Sequence, residues 1–257
     1  MWTSANPSAK QICPEPDVFN CETCKQVDRK AQSKSDDKKS GTSDEDEKSN
    51  AQGHIVYQYK PRSPGNFVRH GDATVDEDSG YLHLENGSIE LSESVADEFY
   101  RKLVAKQVFS IELVFRAFKS PPADKSPARI LTFSTDTIPT NRNFTLGQRD
   151  NWITFRVVRA NDGFRELKLA PIKLERLYHL VVSVSNGKIT TFVNGKQQTK
   201  IHDVGELVLR EKQFLVLGNE KVDNRDWDGI IEQFTIRNSS IVESTAKQFY
   251  RDATKGN

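Results

Sequence analysis

Three cysteines, Cys13, Cys21 and Cys24, crowd into the first 24 residues, and none follows in the remaining 233. The stretch Cys21-Glu22-Thr23-Cys24-Lys25 admits several chemistries. A thioredoxin-like redox pair needs a strand before it and a helix after it, and the flanking sequence offers neither. A structural zinc site needs four ligands; three thiols are present, and the nearest histidine is the distant His54. A c-type haem attachment reads Cys-x-x-Cys-His, and Lys25 stands where the axial histidine would be. A local disulfide with one spare thiol, or pairing between chains, asks for no further context and is the leading reading. A metal, or haem c at Cys21 and Cys24, stands behind it.

Other polar groups gather along the chain. Arg142-Asn143 and the run from Gln148 to Trp152 place a guanidinium, amides and an indole within a few residues. Those groups hydrogen-bond sugar hydroxyls and stack on a pyranose face, so Arg142, Asn143, Gln148 and Trp152 form the candidate ligand site. Asp72, Asp76, Glu77 and Asp78 cluster in one loop, and Asp223, Asp226 and Asp228 in another. Calcium takes six to eight oxygens from such loops, but neither follows the helix-loop-helix calcium pattern, and Asp and Asn are ordinary turn formers. Trp227 heads a strand and reads as core. The five histidines are scattered at 54, 70, 83, 179 and 202. Neither a Gly-x-Ser-x-Gly elbow, a phosphate-binding loop nor His-Glu-x-x-His occurs.

What must position these groups is a set of strands. Short runs rich in β-branched and aromatic residues recur from Ile111 onward: 111–118, 129–134, 152–157, 178–184, 189–193, 207–209, 214–217 and 230–236. Alternation at period two between turn residues argues an antiparallel all-β sandwich or barrel. Asn186-Gly187 is the strongest kind of hairpin signal; Asn194-Gly195 and Asn161-Asp162-Gly163 mark further turns. The strands between 178 and 201 therefore form a meander. Two segments break the pattern. Ser94 to Val104 has apolar residues at 95, 99 and 103, with Ser94 and Asp97 as a start signal; a second short helix is predicted over Ser244 to Tyr250, with Phe249 packing back on the sandwich.

Three stretches together resemble the laminin-G-like, concanavalin-A-like lectin and glucanase sandwiches, in particular a bacterial branch. They are Tyr178 to Val184 continuing to Phe192-Val193-Asn194-Gly195-Lys196; Leu217-Gly218-Asn219 followed by Trp227-Asp228-Gly229 to Phe234; and Pro127 to Ser134 with Arg142 to Gln148. The resemblance spans about residues 55–250 and implies a jelly-roll sandwich of two curved antiparallel sheets. Members bind sugars, proteins or calcium at their rims and concave face. In the closing strand Asp228 and Glu232 are the positions an inherited calcium site would use, with Glu232 where many members have Asp. His179 matches a scaffold position. Some sandwiches of this shape are retaining glycosidases, which need two carboxylates about 5–5.5 Å apart, supplied by alternate residues of one strand. Glu112-Leu113-Val114-Phe115-Arg116 and Glu232 to Arg237 put the wrong residues at those places, and Lys200-Ile201-His202 lacks the Gln of lyase-type strands.

The 257 residues carry 37 Lys plus Arg against 36 Asp plus Glu, a net charge of +1. The first 53 hold 8 basic, 10 acidic and only 13 apolar side chains. Neither part has the basic excess of a protein held by phosphate backbones, so no nucleic-acid partner is expected. Between Lys25 and Gly53 only Val27, Ala31 and Ala51 are apolar, too few to offset the entropy of ordering. The organisation read from this is a cysteine-bearing stub over 1–24, a disordered linker over 25–53, and the sandwich domain over 54–257. No run approaches a membrane span, and the N-terminus lacks the basic and apolar regions of a signal peptide. The expected function is a non-enzymatic, extracytoplasmic (periplasmic or secreted) binding module whose partner is a glycan or an envelope protein. The alternative is a structural or protein-interaction domain of a larger envelope or cytochrome-associated protein.

Overall fold

A computed structural model of the chain describes residues 53–63, 65–135, 142–159, 163–211, 213–221 and 224–255. The three cysteines, nearly all of the 25–53 segment, and Asn161 with Asp162 lie outside the described residues. In chain order the strands are β1 (Ile55–Tyr59), β2 (Phe67–Gly71), β3 (Thr74–Val75), β4 (Leu82–Leu84), β5 (Gly87–Leu91), β6 (Phe109–Ala117), β7 (Ala128–Ser134), β8 (Arg142–Arg149), β9 (Trp152–Arg159), β10 (Gly163–Pro171), β11 (Leu177–Ser185), β12 (Lys188–Val193), β13 (Lys196–Gln197), β14 (His202–Asp203), β15 (Phe214–Leu217) and β16 (Gly229–Arg237). Helix α1 (Glu93–Lys106) follows β5, and α2 (Glu243–Thr254) follows β16.

Two sheets result. One has nine strands, ordered β13-β12-β11-β6-β16-β4-β3, with β1 also on β16 and β14 on β12; the other has seven, ordered β10-β9-β8-β7-β15-β5-β2. Every pairing among the described strands is antiparallel. This is the concanavalin-A-like jelly roll. Strand neighbours distant in sequence, such as β16 beside β6 and β15 between β7 and β5, are what fold the chain into two layers.

The inner faces meet in one apolar core. Period-two alternation sends Phe133, Phe144 and Phe155 inward from β7, β8 and β9, where all three are buried. Phe144 stacks on Phe109 at 5.4 Å and on Phe155 at 5.4 Å, and Phe99 of α1 closes on Phe133 at 5.3 Å. Helix α1 buries Ala96, Phe99 and Leu103 in this core. Burying a Phe or Leu side chain contributes about 1.5–3 kcal/mol, so these residues set the register of the seven-stranded sheet. A one-residue slip would turn them all to the outside.

Helix α2 lies over the outer face of the nine-stranded sheet, packing Ala246 and Phe249 on Val181, Phe192 and Ile241. The expected packing of Phe249 on the sandwich is thus observed. The hairpin turns take the conformation that Asn-Gly favours, with φ of 50° and 68° at Asn186 and Gly187, and 49° and 73° at Asn194 and Gly195. Two expectations need correction. Helix α1 has Ser92, not Ser94, as its N-cap: the Ser92 carbonyl accepts from the amides of Val95 and Ala96. The apolar stripe that reaches the core runs through Ala96, Phe99 and Leu103, which sets the helix phase. Residues 207–209 make no strand; Leu207 forms one isolated bridge to Arg159, and the Val208 amide donates to Val158 at 3.0 Å. The run is three apolar residues long and ends in Arg210 and Glu211, so it has no second rung to add.

Candidate functional site

The structure does not bring Arg142, Asn143, Gln148 and Trp152 together. Arg142 and Asn143 open β8 and Gln148 lies near its end, roughly 17–20 Å away at the usual rise per residue. Arg142 is buried, with Nη2 3.4 Å from Glu220 Oε2 and its guanidinium 5.4 Å over the Phe164 ring. Asn143 is buried and doubly tied to Arg210: its Nδ2 donates to the Arg210 carbonyl at 2.9 Å, and its Oδ1 accepts from the Arg210 amide at 2.6 Å. Both side chains fasten a connection at one end of the sheet. Trp152 is half-buried on the outer face of β9, with Lys168 Nζ 5.3 Å over its ring.

Gln148 has a different job. It is wholly buried, donates through Nε2 to the carbonyls of Lys119 and Asp150, each at 3.0 Å, and accepts from the Trp227 indole at 2.8 Å. One amide therefore ties together three segments at one rim: the loop after β6, the β8–β9 turn and the approach to β16. Trp227, read as core, is buried against Phe115 at 6.1 Å.

Over this tie the rim opens into a cleft of about 200 Å³, lined by Lys119, Ser120, Pro122, Lys125, Asp226 and Asp228, with Ala128 and Trp227 behind them. Its charges are paired within the wall. Lys119 Nζ lies 2.6 Å from Asp228 Oδ2 and 3.0 Å from Glu85 Oε1, and those two bonds hold the ammonium above the ordinary lysine range. Lys125 Nζ donates to Asn224 Oδ1 at 3.1 Å and stands 4.0 Å from Asp226 Oδ2. Asp226 Oδ1 accepts from Asn219 at 2.7 Å, and Ser120 Oγ donates to Asn151 at 3.1 Å. The outcome is a wall of alternating donors and acceptors with little net charge above an apolar floor. The sequence offered Asp226, Trp227 and Asp228 as an acidic turn, but gave no sign that Lys119 and Lys125 would neutralise it.

Asp228 and Glu232 do not fit a calcium site. Asp228 is engaged by Lys119, and Glu232 sits in the bulge of β16 with Oε1 3.7 Å from Arg116 and a hydrogen bond from the Tyr81 hydroxyl. No group of three or more His, Cys, Asp or Glu converges among the described residues, whereas calcium wants six to eight oxygens. The other acidic loop is a turn: Asp76 Oδ1 accepts from the Ser79 hydroxyl at 2.6 Å and the Ser79 amide at 2.7 Å, which keeps its carboxyl below the usual range. The zinc and haem alternatives fall on cysteines outside the described residues.

Sequence reading missed a buried ionic group under α2. Glu112 Oε1 lies 3.0 Å from His179 Nε2 and 3.3 Å from Gln233 Nε2, and Oε2 lies 2.7 Å from Arg237 Nη1. Burial alone would push the Glu112 carboxyl up; the bonds from His179 and Arg237 outweigh it and hold the group below its usual range. Phe249 packs 4.4 Å from the Arg237 guanidinium, and the Tyr250 ring is 5.9 Å from His179. The signal available was parity: Glu112, His179 and Arg237 each fall on the outward phase of an otherwise apolar strand.

Comparison with known proteins adds the following. A laminin-G family model, described as the concanavalin A-like lectin/glucanases superfamily, matches residues 94–245. No curated protein matches the chain. Among solved structures, a botulinum neurotoxin type C structure that concerns interaction with two ganglioside molecules is similar with a TM-score of 0.58 at 13% identity, over 82% of this chain and 54% of that one. The binding domain of botulinum neurotoxin DC in complex with rat synaptotagmin II is similar with a TM-score of 0.57 at 12% identity, over 74% of this chain and 47% of that one. The binding domain of Paraclostridial Mosquitocidal Protein 1 gives 0.53 at 13% identity, over 77% and 48%. This chain spans about half the length of those structures, and at such identities the likeness is one of fold.

Proposed function

We propose that this chain, which belongs to the concanavalin A-like lectin/glucanase superfamily, is a non-enzymatic, extracytoplasmic binding module for a carbohydrate or glycoconjugate. The observation that carries the reading is the rim cleft. A sugar hydroxyl both donates and accepts, so a neutral saccharide needs donors and acceptors side by side, and the cleft supplies Lys119, Ser120 and Lys125 beside Asp226 and Asp228. Its floor offers Pro121 and Pro122 to the apolar face of a ring. Such sites are mostly apolar with a few convergent polar groups.

The same pairing argues against catalysis. A glycosidase needs one carboxylic acid kept protonated in an apolar pocket. Here Asp228 accepts from the Lys119 ammonium at 2.6 Å and Asp226 from the Asn219 amide at 2.7 Å, so both carboxylates of the cleft are engaged by neighbours in its own wall. We read residues 54–257 as the binding domain, 25–53 as a linker and 1–24 as a separate cysteine-bearing stub. No helix among the described residues is long and apolar enough to cross a membrane. The likeness to a domain that binds the protein synaptotagmin supports a second reading, a protein partner at the same rim.

A glycan array probed with and without calcium tests the proposal, with Lys119→Met and Asp226→Asn as site variants. The expected result is a small set of calcium-independent ligands lost in both variants and released uncleaved after prolonged incubation. Absence of any glycan ligand, or new reducing ends in the released glycan, refutes it.

A further inference from the structure

A second polar surface lies on the outer face of β8, β9 and β10. Register places Arg149 opposite Trp152, Thr154 between Gly147 and Lys168, and Arg156 between Thr145 and Glu166. Trp152, Thr154 and Arg156 therefore point the same way along β9, with Trp152 and Arg156 roughly 13 Å apart at the usual rise and Lys168 on the rung between them. Arg149 reaches diagonally across β9 to Glu166, donating from Nε at 2.6 Å and from Nη2 at 3.1 Å. Arg156 donates to the same carboxylate through Nε.

The consequence is a guanidinium fixed by its inner nitrogen. The two terminal nitrogens of Arg156 have no partner among the described residues, and the side chain is partly open to solvent. A guanidinium fork held in place matches a planar carboxylate with two parallel bonds. Three cations, Arg149, Arg156 and Lys168, stand here against Glu166, with Asp150 beside Arg149 at the turn. Trp152 supplies a half-exposed indole at one end of the stripe.

We infer that the outer face of β8–β10 binds an acidic saccharide, an oligomer of carboxylate-bearing sugars, with Arg156 receiving a carboxylate and Trp152 stacking on a ring further along the chain. A single sugar ring does not span from one to the other, so the ligand is an oligomer. The surface shares no residue with the rim cleft and goes beyond the reading given for it. Thr145 and Thr154, on the same face, are buried.

The test is calorimetric titration of the full chain at low salt with oligogalacturonate, alginate and hyaluronan oligomers, each beside its methyl ester. Dextran sulfate against dextran separates carboxylate recognition from plain charge. The expected result is binding of at least one carboxylated oligomer, weakened about tenfold or more by esterification, by Arg156→Lys and by Trp152→Ala. Arg156→Lys keeps the charge and removes the planar fork together with its Nε bond to Glu166. Binding by none of the three oligomers, equal binding of ester and acid, unchanged affinity in Arg156→Lys, or equal affinity for dextran sulfate each overturns the inference. Lys119→Met serves as the control: loss of neutral-glycan binding there with no effect at Arg156 leaves the rim proposal standing and removes this one.

Discussion

Replacing Gln148 by Leu removes the three hydrogen bonds by which one buried side chain ties the rim segments together, while keeping the side chain's approximate volume. Gln148 is wholly buried and makes three hydrogen bonds. The Trp227 indole N–H, itself buried, is left without an acceptor, which costs about 1–3 kcal/mol. The carbonyls of Lys119 and Asp150 lie in loops where water can replace part of what they lose, so their share is smaller. The expected loss is about 2–4 kcal/mol, on the order of 5–15 °C in Tm for a domain of this size. Urea unfolding followed by tryptophan fluorescence measures it; the midpoint should fall with the slope unchanged, since the folded core is untouched. Trp227→Phe removes the other partner, and the double mutant should show a coupling of about 0.5–3 kcal/mol, as for residues in contact. Although no Gln148 atom lines the cleft, glycan binding at the rim should weaken, because Gln148 holds the Lys119 backbone. A change in stability under about 0.5 kcal/mol, the range of an ordinary surface substitution, or no coupling with Trp227, would refute this account of the rim.

Glu112→Gln should destabilise the domain at pH 7 by about 3–5 kcal/mol, as for one partner lost from a buried ion pair. Because the folded carboxyl titrates below its unfolded value of about 4.3, its contribution is present above that pH and lost as pH falls through the folded value; urea midpoints at pH 7 and pH 4 should show the gap between wild type and variant narrowing on acidification, and a constant gap counts against it. Trp227→Ala should cost about 3–5 kcal/mol as a buried core truncation, and Trp152→Ala, outside the core cluster, clearly less; equal losses on thermal unfolding would contradict their placement. The polar composition of 25–53 leads us to expect that limited proteolysis cuts there and leaves a stable fragment beginning near His54, with resistance to cutting as the contrary result. Protein from an oxidising compartment should be colourless with fewer than three free thiols, and a haem absorbance band surviving denaturation would contradict the disulfide reading of Cys13, Cys21 and Cys24.

The strands that were legible in the sequence are those with strong alternation and a turn signal at each end. β6, β7, β9, β11, β12, β15 and β16 all fall within a residue or two of the expected runs. β1 to β5 escaped because they are short and carry polar residues such as Arg69, His70, His83 and Glu90 at half their positions. β10, reading Gly-Phe-Arg-Glu-Leu-Lys-Leu-Ala-Pro, is the open edge of its sheet, and its exposed polar residues dilute the alternation. The expected strand at 207–209 failed for the opposite reason: it was apolar enough, but no neighbour offers it more than one bridge.

The chemistry was harder to read because sites here are made across strands and not along them. Arg142 and Gln148 are six residues apart on one strand, and the rise along β8 separates them by roughly 20 Å. Lys119 and Asp228 are far apart in sequence and meet at 2.6 Å because β6 and β16 are adjacent strands whose ends share a rim. The same holds for Glu166, which collects Arg149 from two strands away because β9 pairs with both β8 and β10 and puts the two side chains on one face. Residue types and spacing can nominate a guanidinium, an amide or an indole. Which of them face one another is decided by register, and register is set by the phenylalanines of the core. A polar surface such as that of β8–β10 is therefore tied to apolar residues that touch none of it: a slip that moved Phe144 and Phe155 off the core would turn Arg149, Trp152 and Arg156 inward with the same step.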